Sequence, residues 1–492
     1  MTLVYATVPV IMVAYLLHLF YKMEEVSVWL KCWLIIVAVA TLTGSMWLIY
    51  LAIIFVGMNL IPKDRDSRIF YFIALLCTLP KLPFQIPFPG INYIVTMEFQ
   101  VATSLVLLLP IYIQLWREGV TKSLLDKLVF VFVFYCMVMD FRNDTSITQT
   151  MRGVVIYFLT QWLLYWPIAN NRGDLKKFLQ GFFLVGTALA FEAIVEWGVV
   201  WKTYVTIIQH IDAVTIPRNQ MAYYFRGLGL RISSSWLGPI PFGMFMSSIA
   251  VIAVYMHQIG FRKHWTRFGF AGAALAATLF TDSRGALLVF IVSMYASLYF
   301  LKANKGWKTT FKVLTVLGVI VVLTNLDTFY KIDTSGTFQY RADLITYSMD
   351  AFHSAPIFGD VHFRENPVLI ANMTQGQGIV DIVNHYLKVL LQYGLIGLGL
   401  YVTIWIVTIA SVAKRASLLQ SLGDDRYQAG ALLVSLLVGI AVVIYTTSLM
   451  GYLQEYIFIL MALASAYLKN TADVTSAAGA PSGAQPHMKT AG

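Results

Sequence analysis

The chain has 492 residues, of which 58% are hydrophobic and 12% charged, with a mean hydropathy of +0.71. A soluble domain carries about 25% charged residues, and this much apolar surface cannot be hidden in one soluble core. The composition reads as a polytopic membrane protein and excludes a cytosolic enzyme, a nucleic-acid binder and a secreted scaffold. The net charge of +10 is not a nucleic-acid footprint, because Lys and Arg are scattered through short loops between apolar runs.

Apolar runs fall at 4–20, 28–60, 69–87, 95–116, 128–140, 153–170, 178–196, 239–258, 268–281, 285–301, 313–326, 385–412, 428–448 and 454–468. The first lacks a basic leader and a small-residue cleavage site, so it reads as a retained span. A span takes about 20 apolar residues. The run 28–60 exceeds that, and Thr43-Gly44-Ser45 would break it into a hairpin. The expected fold is all-α, a polytopic membrane protein of about 12 to 15 transmembrane helices, since lipid leaves no partner for free backbone groups. Cys32, Cys77 and Cys136 lie inside apolar runs and form neither a metal spacing nor a disulfide framework.

Orientation follows from Lys and Arg. The connections 61–68, 117–127, 171–177, 259–267, 302–312 and 413–427 total 61 residues and hold 19 Lys or Arg. The two long connections, 197–238 and 327–384, total 100 residues and hold seven. Alternation places the basic loops on the cytoplasmic side and the long loops outside. The expected organisation is N-terminal transmembrane helices over 1–196, a first outer loop over 197–238 and central helices over 239–326. A second outer loop with an amphipathic helix follows over 327–384, then C-terminal helices over 385–469. The tail 470–492, small and polar, reads as disordered and cytoplasmic.

Chemistry concentrates in the outer segments. Arg218 precedes the stretch from Arg226 to Arg231, which runs on into Ser233-Ser234-Ser235-Trp236. Arg226 and Arg231 stand just before a span, with glycines that let backbone approach a ligand. Arginine there either grips phosphate in a bidentate fork or snorkels at a helix end. The turn Asp282-Ser283-Arg284-Gly285 lies on the same side, with Asp282 the nearest partner for Arg284. Residues 341–353 read as an amphipathic helix, with Leu344, Ile345, Met349 and Phe352 at helical spacing and Pro356 and Gly359 stopping it. Arg341 in its first turn opposes the helix dipole, which points to a functional reason for it. Asp381, Asn384, His385 and Tyr386 stand where the chain re-enters the membrane. A neutral imidazole is the usual proton acceptor near pH 7. Asp381 would share a face with His385 if the helix has begun there. Ionisable residues near span ends are few: Glu98, Glu192 and Glu196. No P-loop, HExxH or Rossmann glycine motif is present, and no repeat is evident.

Four stretches, 230–243, 281–288, 341–359 and 383–398, together resemble the Wzy-type O-antigen polymerase and O-antigen ligase superfamily of bacterial envelopes. The resemblance covers roughly a third of the chain and rests on order, spacing and shared placement. It implies a metal-independent, cofactor-free membrane glycosyltransferase of the GT-C class in the bacterial inner membrane, with its active site facing the periplasm. Its implied donor is a glycan on undecaprenyl diphosphate and its acceptor a second glycan. Membrane lipid, a chain-length regulator and a flippase are the implied partners. Arginines of the outer loops are implied to hold the diphosphate, which matches Arg231 and Arg341 with Arg226 and Arg284 in support. His385 is the first candidate base and Asp381 the second, with Asn384 and Tyr386 supporting. Ligases of the family carry His-Asn just ahead of the Tyr-Leu pair, whereas Val383 occupies that histidine position here. The departure favours a polymerase of O-antigen, capsule or exopolysaccharide over a ligase acting on lipid A-core. A transporter of lipid-linked glycan is the rival from another class, against which stands the lack of a visible inverted repeat.

Overall fold

A computed structural model describes residues 2–90, 92–142, 146–212, 223–261, 265–301, 306, 309, 313, 337–374, 378 and 380–473. All of the expected span 313–326 but Val313, together with Arg218 and the tail beyond 473, lies outside the described residues. The rest is almost wholly helical. The first half contains α1 (Thr2–Tyr21), α2 (Glu25–Thr43), α3 (Met46–Asn59), α4 (Arg65–Thr78), α5 (Phe99–Leu107), α6 (Leu109–Arg117), α7 (Leu124–Phe141), α8 (Ile147–Tyr157), α9 (Leu163–Ala169), α10 (Leu175–Val199) and α11 (Thr203–Gln209). The second half contains α12 (Pro239–Val254), α13 (Thr266–Phe280), α14 (Arg284–Leu301), α15 (Thr337–Phe352), α16 (Pro367–Met373), α17 (His385–Ser421), α18 (Arg426–Val443) and α19 (Leu453–Asn470). Two small antiparallel hairpins sit in loops: β1 (Phe84–Gln85) with β2 (Thr96–Met97), and β3 (Phe225–Arg226) with β4 (Gly229–Leu230).

Among the described residues, six helical stretches are long and apolar enough to cross a membrane, and four shorter apolar helices accompany them. Thr43-Gly44-Ser45 does separate α2 from α3. Polar caps mark where spans begin. The Asp64 carboxylate accepts from Ser67 N (2.8 Å), Ser123 and Asp126 form a reciprocal capping box, and Asn384 Oδ1 accepts from Leu387 N (3.1 Å). Leu42, Leu51, Phe55, Phe134, Ile291 and Ile406 lie exposed on helix exteriors, as a bilayer-facing surface requires.

Contacts sort the loops into two ends. At one end Lys469 Nζ meets Asp126 Oδ2 (2.6 Å), Asn171 Nδ2 donates to Asp66 Oδ1 (2.6 Å), and Arg426 Nη1 donates to Asn470 O (3.1 Å). These belong to the short basic connections. The opposite end gathers 210–212, 223–238, 281–285, 339–374, 380–385 and 444–452, and carries the functional candidates.

The long helix α17 is broken at Gly394 (φ 67°, ψ −167°). Residues 356–360 fill the break. Leu395 N donates to Pro356 O (2.9 Å), and Asp360 N donates to Leu391 O (2.8 Å). A Cβ on Gly359 (φ 70°) would stand 2.5 Å from the backbone nitrogens of Tyr393 and Gly394, so the two glycines meet backbone to backbone. The loop thus satisfies donors that the helix cannot, which membrane depth demands.

The second long loop has a small core of its own. Leu344 and Ala351 of α15 join Phe363, Leu369, Met373, Ile382 and Leu387. The covered face of α15 is the one bearing Leu344, Ser348 and Ala351, while Ile345 (40%) and Met349 (37%) are exposed. Leu344 thus faces the loop's own core, and Ile345 and Met349 face outward. α15 packs against α16 and α17 on one side and turns Ile345 and Met349 outward.

Candidate active site

The site is built around a turn, 444–452, that no sequence motif marked. Four motifs attach to it. His385 N donates to Ile444 O (2.8 Å). Ser448 Oγ donates to Ile382 O. Arg341 Nη2 donates to Thr446 O (3.4 Å). A Cβ built on Gly285 would lie 3.4 Å from Val443 Cγ1 and 3.7 Å from Thr446 Oγ1, so the 281–285 turn adjoins this one with room for a side chain of one carbon. On the far flank, Gly451 lies against Trp236 O, and the Trp236 ring stacks on Phe245 (4.7 Å) with its edge toward Tyr452 (5.9 Å).

The arginines surround the 281–285 turn. Arg231 Nε donates to Thr281 O (2.9 Å), and its backbone nitrogen donates to Tyr224 O (2.8 Å), closing the β3–β4 hairpin. Arg226, on β3, faces Asp282 with Nε 3.8 Å from Oδ2. Asp282 therefore pairs with Arg226 and not with Arg284, as sequence adjacency suggested; the hairpin brings Arg226 over the turn. Arg284 opens α14 and is exposed. Arg231 and Arg341 are thus each anchored on a backbone carbonyl, of Thr281 and Thr446, in two turns that adjoin at Gly285. Burial, with Arg226 adding to it, pulls the Arg231 guanidinium below its usual value. An anion placed there would relieve that strain.

Two glutamates hold the segment in place. Glu196 Oε2 accepts from Ser234 N (3.0 Å) and Ser233 N (3.3 Å). Glu192 accepts from Thr203 and Ser234 hydroxyls. Both are spent on fixing the Ser233-Ser234-Ser235 run beneath Arg231. Buried Lys202 lies beside them, its ammonium lowered by burial against the pull of Glu196. Glu98 sits with Lys81 and Glu455, where Lys81 Nζ is 2.7 Å from Glu455 Oε1 and 3.6 Å from Glu98 Oε2.

Asn384 and His385 open α17, so Asp381 precedes the helix and does not share a helical face with His385. Burial pushes the Asp381 carboxyl up, against the pull of Arg364. Asp381, Arg364 and Lys388 line one cavity; His385 and Lys388 line the next, so Lys388 stands between the two. The Tyr340 hydroxyl donates to Asp381 O (2.7 Å), and the Tyr386 hydroxyl to Ala441 O (2.9 Å). Tyr386 therefore braces α17 on α18. The His385 ring packs edge-on to Tyr401 (5.3 Å).

Sequence reasoning missed Lys81, Asp140, Lys388 and Gln392 at this end. Asp140 closes a short apolar run, and a carboxylate at that point was the available signal. Among the described residues, no group of three or more His, Cys, Asp or Glu is placed to hold a metal ion.

Residues 269–402 match a family model, Wzy_C, described as O-antigen ligase. No curated protein matches the chain. The matched stretch holds Arg284, Arg341, Asp381 and His385 together with the 356–360 loop and Gly394 that it clasps. The chain is a helical membrane protein, and its residues 269–402 are similar to the O-antigen ligase family, an enzyme type of glycosyltransferase or ligase character.

Proposed function

We propose that the chain transfers a glycan from a lipid diphosphate donor to a glycan acceptor, polymerising undecaprenyl-diphosphate-linked repeat units at the periplasmic face of the bacterial inner membrane. The observation that supports this reading is the anchoring of Arg231 and Arg341 on two adjoining turns. The donor's anomeric C–O bond breaks with its electron pair leaving on the diphosphate. That charge needs fixed cations, and guanidinium groups supply it without reorganisation. Arg231 and Arg341 hold the diphosphate, and Arg226 and Arg284 support them. The acceptor hydroxyl gives its proton to His385, with Asp381 the second candidate, as its oxygen bonds the anomeric carbon. A positioned base contributes about 10²–10⁴-fold.

A second reading, transfer to lipid A-core, is favoured by the description of the matched family as O-antigen ligase. Val383 at the ligase histidine position favours the polymerase. Polymer length in cells carrying Arg341→Ala or Arg231→Ala tests the proposal, since unchanged polymer at normal expression removes the arginine clamp. Reconstitution with labelled donor separates transfer from transport, because a transporter moves label without forming glycosidic bonds.

A further inference from the structure

Beside the arginine turns lies a cavity of about 260 Å³. His385, Asp140, Lys388, Gln392, Tyr157 and Tyr393 line its polar part, and Phe132 and Phe458 lie in its apolar part. The polar part is organised around Asp140. Its carboxylate accepts from Gln392 Nε2 (3.2 Å), from the Tyr393 hydroxyl (3.3 Å) and from the Tyr157 hydroxyl. The clasp at Gly359 and Gly394 sets this geometry, because it fixes Gln392 and Tyr393 at the break in α17. Arg142, two residues beyond Asp140, locks the clasp by donating to Gly359 O (2.8 Å).

Two residues of this lining, His385 and Tyr401, carry a buried polar atom without a hydrogen-bond partner among the described residues. His385 is only 8% exposed, and its Nδ1 has no hydrogen-bond partner among the described residues. Buried polar atoms are nearly always paired, so an orphan on a residue that lines a cavity points to a ligand atom reached when the site is filled. The surrounding carboxylate, amide, ammonium and phenols are groups that bind hydroxyls, and Phe132 and Phe458 add apolar surface for sugar C–H groups. A diphosphate is poorly matched, because the Lys388 ammonium shares the cavity with the Asp140 carboxylate and leaves no net positive charge to hold it.

We propose that this cavity is the acceptor-saccharide subsite. Asp140 and Gln392 hold hydroxyls of the acceptor sugar, and His385 Nδ1 receives the hydroxyl that reacts. Its proton passes to Nδ1, its oxygen bonds the anomeric carbon of the donor, and the donor's C–O electron pair departs with the diphosphate. The assignment rests on the transferase reading above and separates two substrates in space: charge at the arginine turns, hydroxyls at Asp140.

The test uses the purified full chain in detergent micelles and two probes. One is the oligosaccharide released by mild acid from the lipid-linked glycan of the native host. The other is undecaprenyl phosphate without sugar. Calorimetry measures binding of each to wild type, Asp140→Asn and Gln392→Ala, and labelled lipid-linked donor measures transfer. Wild type should bind the free oligosaccharide, and both variants should weaken it about tenfold, the effect of losing one hydrogen bond of this kind. Undecaprenyl phosphate binding should stay within twofold, which also shows that the variants are folded. If Asp140→Asn loses both probes, Gln392→Ala decides. The subsite is overturned if wild type does not bind the oligosaccharide, if a variant that retains the lipid probe binds the oligosaccharide as wild type does, or if only the lipid probe weakens. Wild type that binds the oligosaccharide but transfers nothing would sink the transferase reading and leave the saccharide site standing.

Discussion

Replacing Gly394 by alanine should unlock the clasp on which the site is built. Gly394 sits at φ 67° and ψ −167°, backbone that is essentially reserved for glycine. Holding alanine there costs about 1–3 kcal/mol. The new Cβ would also strike Ile357 O and would stand 2.6 Å from Gly359 N. Residues 356–360 must then withdraw, taking with them the bonds from Leu395 N to Pro356 O and from Asp360 N to Leu391 O. Each is worth about 0.5–1.5 kcal/mol net. The total loss is about 2–6 kcal/mol, a large part of a typical folding stability. Gly399→Ala is the matched control, because nothing lies within 4 Å of its Cβ and its backbone is helical. That change should be neutral or stabilise by about 0.5–1 kcal/mol. Thermal unfolding of both purified variants in detergent reads the difference, with retention of Gln392-dependent oligosaccharide binding as a second readout. Equal melting temperatures for Gly394→Ala and Gly399→Ala would refute the reasoning.

Three further outcomes are expected. Arg231→Lys should not restore what Arg231→Ala loses, since an ammonium lacks the planar fork that reaches Thr281 O and an anion at once; polymer of normal length from the lysine variant would contradict this. At the opposite end, Asp126 is fully buried and Lys469 is its cation, so Lys469→Ala should destabilise by about 3–5 kcal/mol, while Asp126→Asn with Lys469→Met should recover most of the loss. Unfolding curves of the single and double variants decide it. The third concerns pH. Burial raises the Asp381 carboxyl above its ordinary value of 3.8. The folded protein therefore binds that proton more tightly, so the group's favourable contribution is complete below 3.8 and is lost as pH rises through the raised value. Asp381→Asn should melt higher than wild type at pH 7, and the advantage should vanish at acidic pH; a variant less stable than wild type at pH 7 would contradict the assignment.

The membrane character was legible because lipid leaves few options: spans must be apolar, long and helical, and that pattern is written in composition. The hairpin at Thr43-Gly44-Ser45 was legible for the same reason, since a run of that length cannot stand upright. Pairing was less so. Asp282 was assigned to Arg284 by adjacency, whereas a β-hairpin places Arg226 against it. Periodicity found the apolar positions on α15 but not that Leu344 turns to the loop core while Ile345 and Met349 face outward. The turn at 444–452 was invisible because it contributes chiefly backbone carbonyls, of Ile444 and Thr446, and a carbonyl carries no side-chain signature. Asp140 was passed over because its partners, Tyr157 and Gln392, come from distant helices. The clasp between Gly359 and Gly394 had both its glycines in plain view, but their meeting is a fact of tertiary structure alone.

The central claim is that Arg231 and Arg341 together stabilise a departing lipid diphosphate. The most direct measurement is glycosidic-bond formation by the purified chain from labelled lipid-diphosphate glycan, with chelator present, for wild type, Arg231→Ala and Arg341→Ala. Wild type should form polymer under these conditions, and each variant should fall by about 10²–10³-fold in rate, as expected for loss of one preorganised donor to a developing anion. Variants that turn over at the wild-type rate, or a wild type that is silent until a divalent metal is added, would contradict the account.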